Sequence, residues 1–159
     1  MPPEVGERAP GFTGVCCDGE IYQDRAFDDV LGDRGGVLVF YGFAFSAIAR
    51  HWWKRYERRG WAEFEDVSVL GVGRDGPFAQ NEFLRKINSP FRIFSDVDGA
   101  AIDAYDLRLD RHGLTNTSTA TRAVFVLDAD REVTYRWVTD GPVSPPPADE
   151  IEDAVAALE

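Results

Sequence analysis

The sequence predicts one α/β domain, in which a central mixed β-sheet carries helices on both faces and follows an N-terminal β-hairpin. Its 159 residues are a common length for a single domain, and 44% hydrophobic residues suffice for a core. Two continuous apolar runs, typical of strands buried on both faces of a parallel sheet, flank the longest amphipathic stretch. Two later β-type runs are joined by a short polar turn, which indicates an antiparallel pair.

The first half of the chain alternates strand and helix patterns. Asp18-Gly19 supplies the positive φ that a tight turn needs, so residues 12–22 are predicted to form a hairpin. Ser46 is a suitable N-cap and Gly60 a suitable stop for the longest helix. The elements predicted here are the hairpin 12–22, a short helix 26–31, a strand 37–41, a helix 46–60 and a strand 67–72.

The second half continues the alternation and closes with a hairpin. Pro77 lies in the first turn of a predicted helix, where its missing N–H costs nothing. The turn at 128–130 is too short for a parallel crossover, so the strands on either side pair antiparallel. The elements predicted here are a helix 77–87, a strand 91–94, a helix 100–107, strands 123–127 and 133–137, and a final amphipathic helix 149–158.

Charge and composition exclude several classes of partner. The 28 acidic and 17 basic residues give a net charge of −11, which disfavours binding to nucleic acid or to anionic membranes. No apolar run approaches the roughly 20 residues that cross a bilayer, and the N-terminus lacks the pattern of a signal peptide. We therefore expect a cytoplasmic protein whose partners are small molecules or other proteins.

The acidic surface also suggests adaptation to concentrated salt, because Lys54 and Lys86 are the only lysines. Screening within a few ångströms removes the repulsion among closely spaced carboxylates, so salt should favour the folded state. We expect the melting temperature to rise along a potassium chloride series. A melting temperature that does not change with salt would contradict this halophilic interpretation.

The only cysteines are Cys16 and Cys17. Adjacent cysteines rarely form a disulfide, because the bridge distorts the peptide between them, so both are predicted to be free thiols. They could act in redox chemistry, either as a strained pair or as a peroxide-sensing thiol, or one of them could face the packed side of the hairpin while the other is incidental. These cysteines and the two histidines, His51 and His112, do not make a metal-ligand set, and no metal or cofactor is expected.

Short segments along nearly the whole chain match one family in order and spacing. The chain resembles the peroxiredoxin family, the alkyl hydroperoxide reductase and thiol-specific antioxidant branch of the thioredoxin superfamily. The resemblance implies a thioredoxin-like fold over a single domain, 1–159, with redox and antioxidant associations. The matching segments are residues 6–13, 69–78, 90–99, 104–105 and 122–128.

The active-site loop of that family reads Pro-x-x-x-Thr/Ser-x-x-Cys, and this chain departs from it at two positions. Gly42 stands at the proline, Ser46 keeps the hydroxyl, and Ala49 stands at the peroxidatic cysteine. The resemblance places the family's arginine at Arg122. A peroxidatic thiol reacts as a thiolate, which the helix N-terminus and the arginine stabilise, and alanine has no sulfur to react. Ser46 is no substitute nucleophile, since the sequence shows no Ser-His-Asp pattern.

Two functions follow from this substitution. The first is a non-peroxidatic binding module built on the peroxiredoxin fold. The second is a thiol-dependent peroxide reductase. This function requires either that Ala49 is an engineered replacement of a natural cysteine or that Cys16 or Cys17 supplies the thiol. The accompanying loss of proline at Gly42 favours natural loss of the cysteine. The resemblance also implies a possible homodimer, through the hairpin strand 131–138 or through the Trp-rich helix.

Two other sequence patterns could indicate a binding site. Residues 71–76 match G-x-G-x-x-G after a strand and before a helix, with Asp96 about twenty residues further on, as in dinucleotide sites. That fingerprint belongs to the first β-α unit of a doubly wound fold, whereas here a strand and a helix precede it. A cationic stripe on the longest helix could hold an anion or an acidic partner, or it could be a solvated face. Its members are Arg50, Lys54, Arg55, Arg58 and Arg59.

Overall fold

A computed structural model describes residues 1–111, 113 and 117–159. The helices are α1 (Phe27–Val30), α2 (Ala47–Arg58), α3 (Pro77–Lys86), α4 (Ala100–Ala104) and α5 (Ala148–Ala156), with a 3-10 turn at Trp61–Glu63. The strands are β1 (Thr13–Cys17), β2 (Tyr22–Ala26), β3 (Gly35–Phe40), β4 (Val67–Gly73), β5 (Arg92–Ser95), β6 (Arg108–Asp110), β7 (Ser118–Ala120), β8 (Ala123–Asp128) and β9 (Val133–Val138).

The main sheet confirms the predicted fold class. Across the described residues it has seven strands in the order β2-β1-β5-β4-β3-β8-β9. Strand β4 pairs parallel with β3 and β5, while the pairs at both ends of the sheet are antiparallel. Alternate residues of β3 enter separate hydrophobic clusters, Val37 and Val39 on one face and Leu38 and Phe40 on the other. The sheet is therefore mixed and covered on both faces, as in a thioredoxin-like fold.

Two details differ from the sequence-based expectation. Strands β6 and β7 form a separate antiparallel pair that was not predicted, because three-residue strands give too little periodicity to detect. Helix α4 ends at Ala104, earlier than the predicted 107, since Asp106 adopts a left-handed backbone conformation with φ of 55°. Of the two histidines considered in the sequence, His112 lies outside the described residues.

Aromatic side chains explain why two glycines of the G-x-G-x-x-G pattern are needed. A Cβ at Gly71 would lie 2.6 Å from the Trp53 ring, and a Cβ at Gly73 would lie 2.8 Å from the Tyr41 ring. Both glycines belong to the central strand β4. They make room for aromatic side chains packed on the sheet, so packing accounts for these two glycines without a dinucleotide site.

Two side chains of the cationic stripe are paired with acceptors within the chain. The Lys54 ammonium donates to a Glu57 carboxylate oxygen and to the Ile87 carbonyl oxygen, both at 2.8 Å. The Arg59 guanidinium pairs with two carboxylates of α5, Asp149 and Glu152, and so ties α5 to the end of α2. The remaining cations of the stripe are exposed arginines, Arg50, Arg55 and Arg58.

Both surfaces predicted for a homodimer are partly occupied within the chain. On α2, Trp53 is buried in the core. On β9, the Val133 N–H donates to the Glu7 carbonyl oxygen, so the N-terminal segment covers the start of this edge strand. The homodimer stays a prediction.

Among the described residues, no helix has the length and apolar character needed to span a membrane.

Candidate functional site

The fold brings four residues identified from the sequence to one cavity. Gly42 follows the end of β3, Ser46 and Ala49 lie at the start of α2, and Arg122 directly precedes β8. Because β3 and β8 are neighbours in the sheet, these segments meet at one edge. All four residues line a cavity of about 490 Å³. The volume is within the range of small-molecule sites.

The N-terminus of α2 forms one wall of this cavity. The Ser46 hydroxyl donates to the Phe43 carbonyl oxygen at 2.8 Å and accepts from the Ala49 backbone N–H at 3.1 Å. Ser46 is therefore an N-cap whose hydrogen and acceptor are both used locally. Ala49 is 4% exposed, and its methyl group contributes no polar or redox-active atom to the wall.

Arg122 lines the cavity, but its hydrogen-bond donors are either used within the chain or buried. Its Nη2 donates to the Ser144 carbonyl oxygen and, at 3.4 Å, to the Thr139 hydroxyl. Its Nε and Nη1 are buried and have no partner among the described residues. Burial lowers the pKa of Arg122, yet an arginine stays protonated at neutral pH. Buried N–H groups are normally paired, so these two donors are an exception within the described part of the chain.

The rest of the lining is mostly apolar and includes one arginine that the sequence reasoning missed. Arg111 follows β6, lines the cavity together with Gly42 and belongs to no recognisable motif, so no sequence signal pointed to it. The guanidinium carbon of Arg111 lies 5.3 Å from the centre of the Phe43 ring. The apolar side chains in the lining are those of Phe43, Ala47, Ile48, Ala49, Leu109, Ala120 and Pro142.

Cys16 and Cys17 lie away from this cavity and on opposite faces of the sheet. Cys16 is 6% exposed and packs in the cluster that contains Phe27, while Cys17 is fully buried in the cluster that contains Trp53. Burial raises the pKa of the Cys16 thiol, and burial together with the charges of Cys16 and Asp18 raises the pKa of Cys17 to about 12. Both thiols are therefore protonated at neutral pH and poor nucleophiles.

The described residues offer no metal centre, since no group of three or more histidine, cysteine, aspartate or glutamate side chains comes together in them. The polar chemistry of the cavity is instead that of a helix N-terminus and arginine N–H donors. Such donors stabilise a negatively charged or strongly accepting group. The arrangement can hold and polarise a ligand, but the wall at Ala49 provides no nucleophile.

Comparison with known proteins decides the family. The model of the AhpC/TSA family matches residues 5–136, which is most of the chain. The chain belongs to the AhpC/TSA family. The putative peroxiredoxin bcp of Coxiella burnetii is 28% identical over 145 residues, covering 86% of this chain and 89% of the relative. The peroxiredoxin resemblance seen in the sequence is thereby confirmed.

Solved structures support the same fold for this AhpC/TSA chain. A peroxiredoxin-like protein from Aquifex aeolicus superposes with a TM-score of 0.81 at 24% identity, covering 100% of this chain and 90% of its own. AhpC from Mycobacterium tuberculosis superposes with a TM-score of 0.75 at 19% identity, covering 99% and 93%. At these identities the likeness shows the thioredoxin-like fold of peroxiredoxins.

Proposed function

We propose that this AhpC/TSA chain is a non-peroxidatic binding module, which keeps the peroxiredoxin pocket but not its thiol chemistry. The observation that carries the proposal is the pairing of Ala49 with Arg122 in one cavity. A methyl group occupies the wall where the family's motif has its cysteine, and the arginine beside the cavity keeps two buried N–H groups without a partner. The guanidinium charge of Arg122 favours a small molecule with an acceptor or anionic group in this cavity, and holding it needs no reaction at sulfur.

The competing function, a thiol-dependent peroxide reductase, needs a thiolate elsewhere in the chain. Neither Cys16 nor Cys17 lines the cavity, and burial keeps both thiols protonated. Arg92 and Arg25 lower the pKa of Cys16, but burial outweighs them. These observations disfavour a transfer of the redox role to the N-terminal hairpin. Location in the cytoplasm, adaptation to concentrated salt and a homodimer accompany the proposal as predictions from the sequence.

The binding role is tested by mapping where two aromatic probes, 2-naphthoate and 2-naphthamide, contact the isotopically labelled protein. We expect amide chemical-shift changes to concentrate in the cavity lining, because its walls are apolar and open to solvent at one side. Ala47 is exposed at the edge of the cavity, so Ala47→Trp should block both probes. Ala156→Trp, at the exposed end of α5, is the matched control and should not. Shift changes that are absent or scattered over the surface would refute the binding role.

A further inference from the structure

The second departure from the family motif, glycine in place of proline at position 42, has a structural counterpart in Arg111. A Cβ at Gly42 would lie 2.6 Å from the Arg111 Nη2 atom, which is closer than non-bonded atoms approach. The space that a larger residue at position 42 would need is therefore taken by a guanidinium. Where the family motif has a proline ring, the lining of this pocket therefore has a cation.

The Arg111 side chain is held in this position by several contacts. Its Nε donates to the Thr119 hydroxyl at 2.8 Å, across the β6–β7 pair. Its guanidinium lies over the Phe43 ring, a geometry in which the face of the ring attracts a cation. Among the described residues, none of the ion pairs includes a carboxylate paired with Arg111 or with Arg122. Within the described part of the chain, the two arginines that line the pocket thus have no carboxylate ion-pair partner, and the Arg122 guanidinium lies over the Trp137 ring.

We propose that Arg111 makes this pocket selective for small organic carboxylates, a specificity that rests on the binding role proposed above. A carboxylate has two oxygens that match the planar donor fork of a guanidinium, and charge-assisted bonds of this kind are about twice as strong as neutral ones. Arg111 supplies such a fork, while Arg122 and the N-terminus of α2 add positive charge to the same cavity.

The other lining residues determine which kind of carboxylate the cavity favours. Most side chains around the cavity are apolar, so they favour an organic acid with an apolar body over acetate or a free inorganic anion. Asp140 is the acidic residue of the lining, but it is exposed, and its carboxylate accepts a hydrogen bond from the Ser144 hydroxyl at 2.6 Å. It lies at the rim, where solvent screens its repulsion of an anion.

Isothermal titration with 2-naphthoate, its neutral isostere 2-naphthamide and acetate tests this specificity. We expect the parent chain to bind naphthoate at least about tenfold more tightly than naphthamide, because tenfold in affinity corresponds to one well-formed charged hydrogen bond. Acetate should bind more weakly than naphthoate by a similar factor, because it lacks the carbons that the apolar lining would bury. Equal affinities for naphthoate and naphthamide would overturn the carboxylate specificity and leave the binding role intact. If neither probe binds, the binding role itself fails, and this inference fails with it.

Substitutions assign the preference to Arg111. Arg111→Gln should reduce the preference for naphthoate to within about twofold while leaving the affinity for naphthamide nearly unchanged. Gly42→Ala keeps the arginine but displaces its flexible end, and should give the same loss. Arg50→Gln removes an exposed charge of α2 outside the lining and should retain the preference. A preference that survives both Arg111→Gln and Gly42→Ala, in variants with parental circular dichroism, would overturn the inference.

Discussion

Replacing Ala49 by cysteine is expected to give this chain a reactive thiolate and measurable peroxide consumption. The new thiol would lie in the first turn of α2, where the helix N-terminus favours a negative charge, and it would line the same cavity as Arg122. These groups lower a thiol pKa from about 8.5 to 7.5 or below, which raises the thiolate fraction at neutral pH from about 3% to at least about 25%. Titration of the thiolate absorbance and a peroxide assay with dithiothreitol measure both effects.

The control for this gain is a cysteine in an ordinary environment. Ala156→Cys places a thiol at the exposed C-terminal end of α5, where the helix terminus disfavours a thiolate. It should titrate near the usual pKa of about 8.5 and react with peroxide no faster than a free thiol. If the Ala49→Cys thiol has the same pKa and reactivity as the Ala156→Cys thiol, the helix N-terminus and Arg122 do not activate a thiol at position 49. The cavity would then lack the activating groups as well as the cysteine.

The largest effect on stability is expected for Trp53→Ala. Trp53 is 1% exposed, and its ring meets Tyr41, Tyr56 and Phe91 with centroid separations between 5.5 and 5.8 Å. It also fills the space left by Gly71 on β4. Truncating a fully buried tryptophan removes its burial energy and leaves a cavity, which costs about 3–5 kcal/mol of unfolding free energy. Urea unfolding followed by circular dichroism measures the loss.

The neighbouring tryptophan is the matched control for this loss. Trp52 is only half-buried, so Trp52→Ala should cost less than about 2 kcal/mol. Trp53→Phe keeps an aromatic ring in the core and should recover part of the stability lost in Trp53→Ala. Equal losses for Trp52→Ala and Trp53→Ala would show that α2 is not anchored to the sheet through Trp53.

The arrangement of the main sheet could be predicted because its signals are strong and local. The apolar runs of β3 and β4 have the pattern of strands buried on both faces, and the short turn between β8 and β9 permits only antiparallel pairing. The alternation of side chains along a strand would also have placed Cys16 and Cys17 on opposite faces of the sheet. Strands β6 and β7 were missed, since three residues carry almost no periodic signal.

The candidate site was predictable only where a motif marks it. Gly42, Ser46 and Ala49 are read from one short segment, whereas Arg122 was placed by its position in the resemblance. Arg111 has no motif and lies about seventy residues from Gly42 in the chain. Only the β6–β7 pair, which the sequence did not reveal, brings its guanidinium to Gly42. Contacts of this kind depend on tertiary structure, so periodicity and spacing do not encode them.

Hydrogen peroxide consumption by the unmodified chain, with dithiothreitol or thioredoxin as the reductant, tests the non-peroxidatic role most directly. With Ala49 in the cavity wall and both native thiols buried, we expect consumption no faster than the reductant alone. Rapid, protein-dependent consumption that disappears in Cys16→Ser or Cys17→Ser would contradict the account, because it would show that the chain reduces peroxide with a thiol outside the pocket.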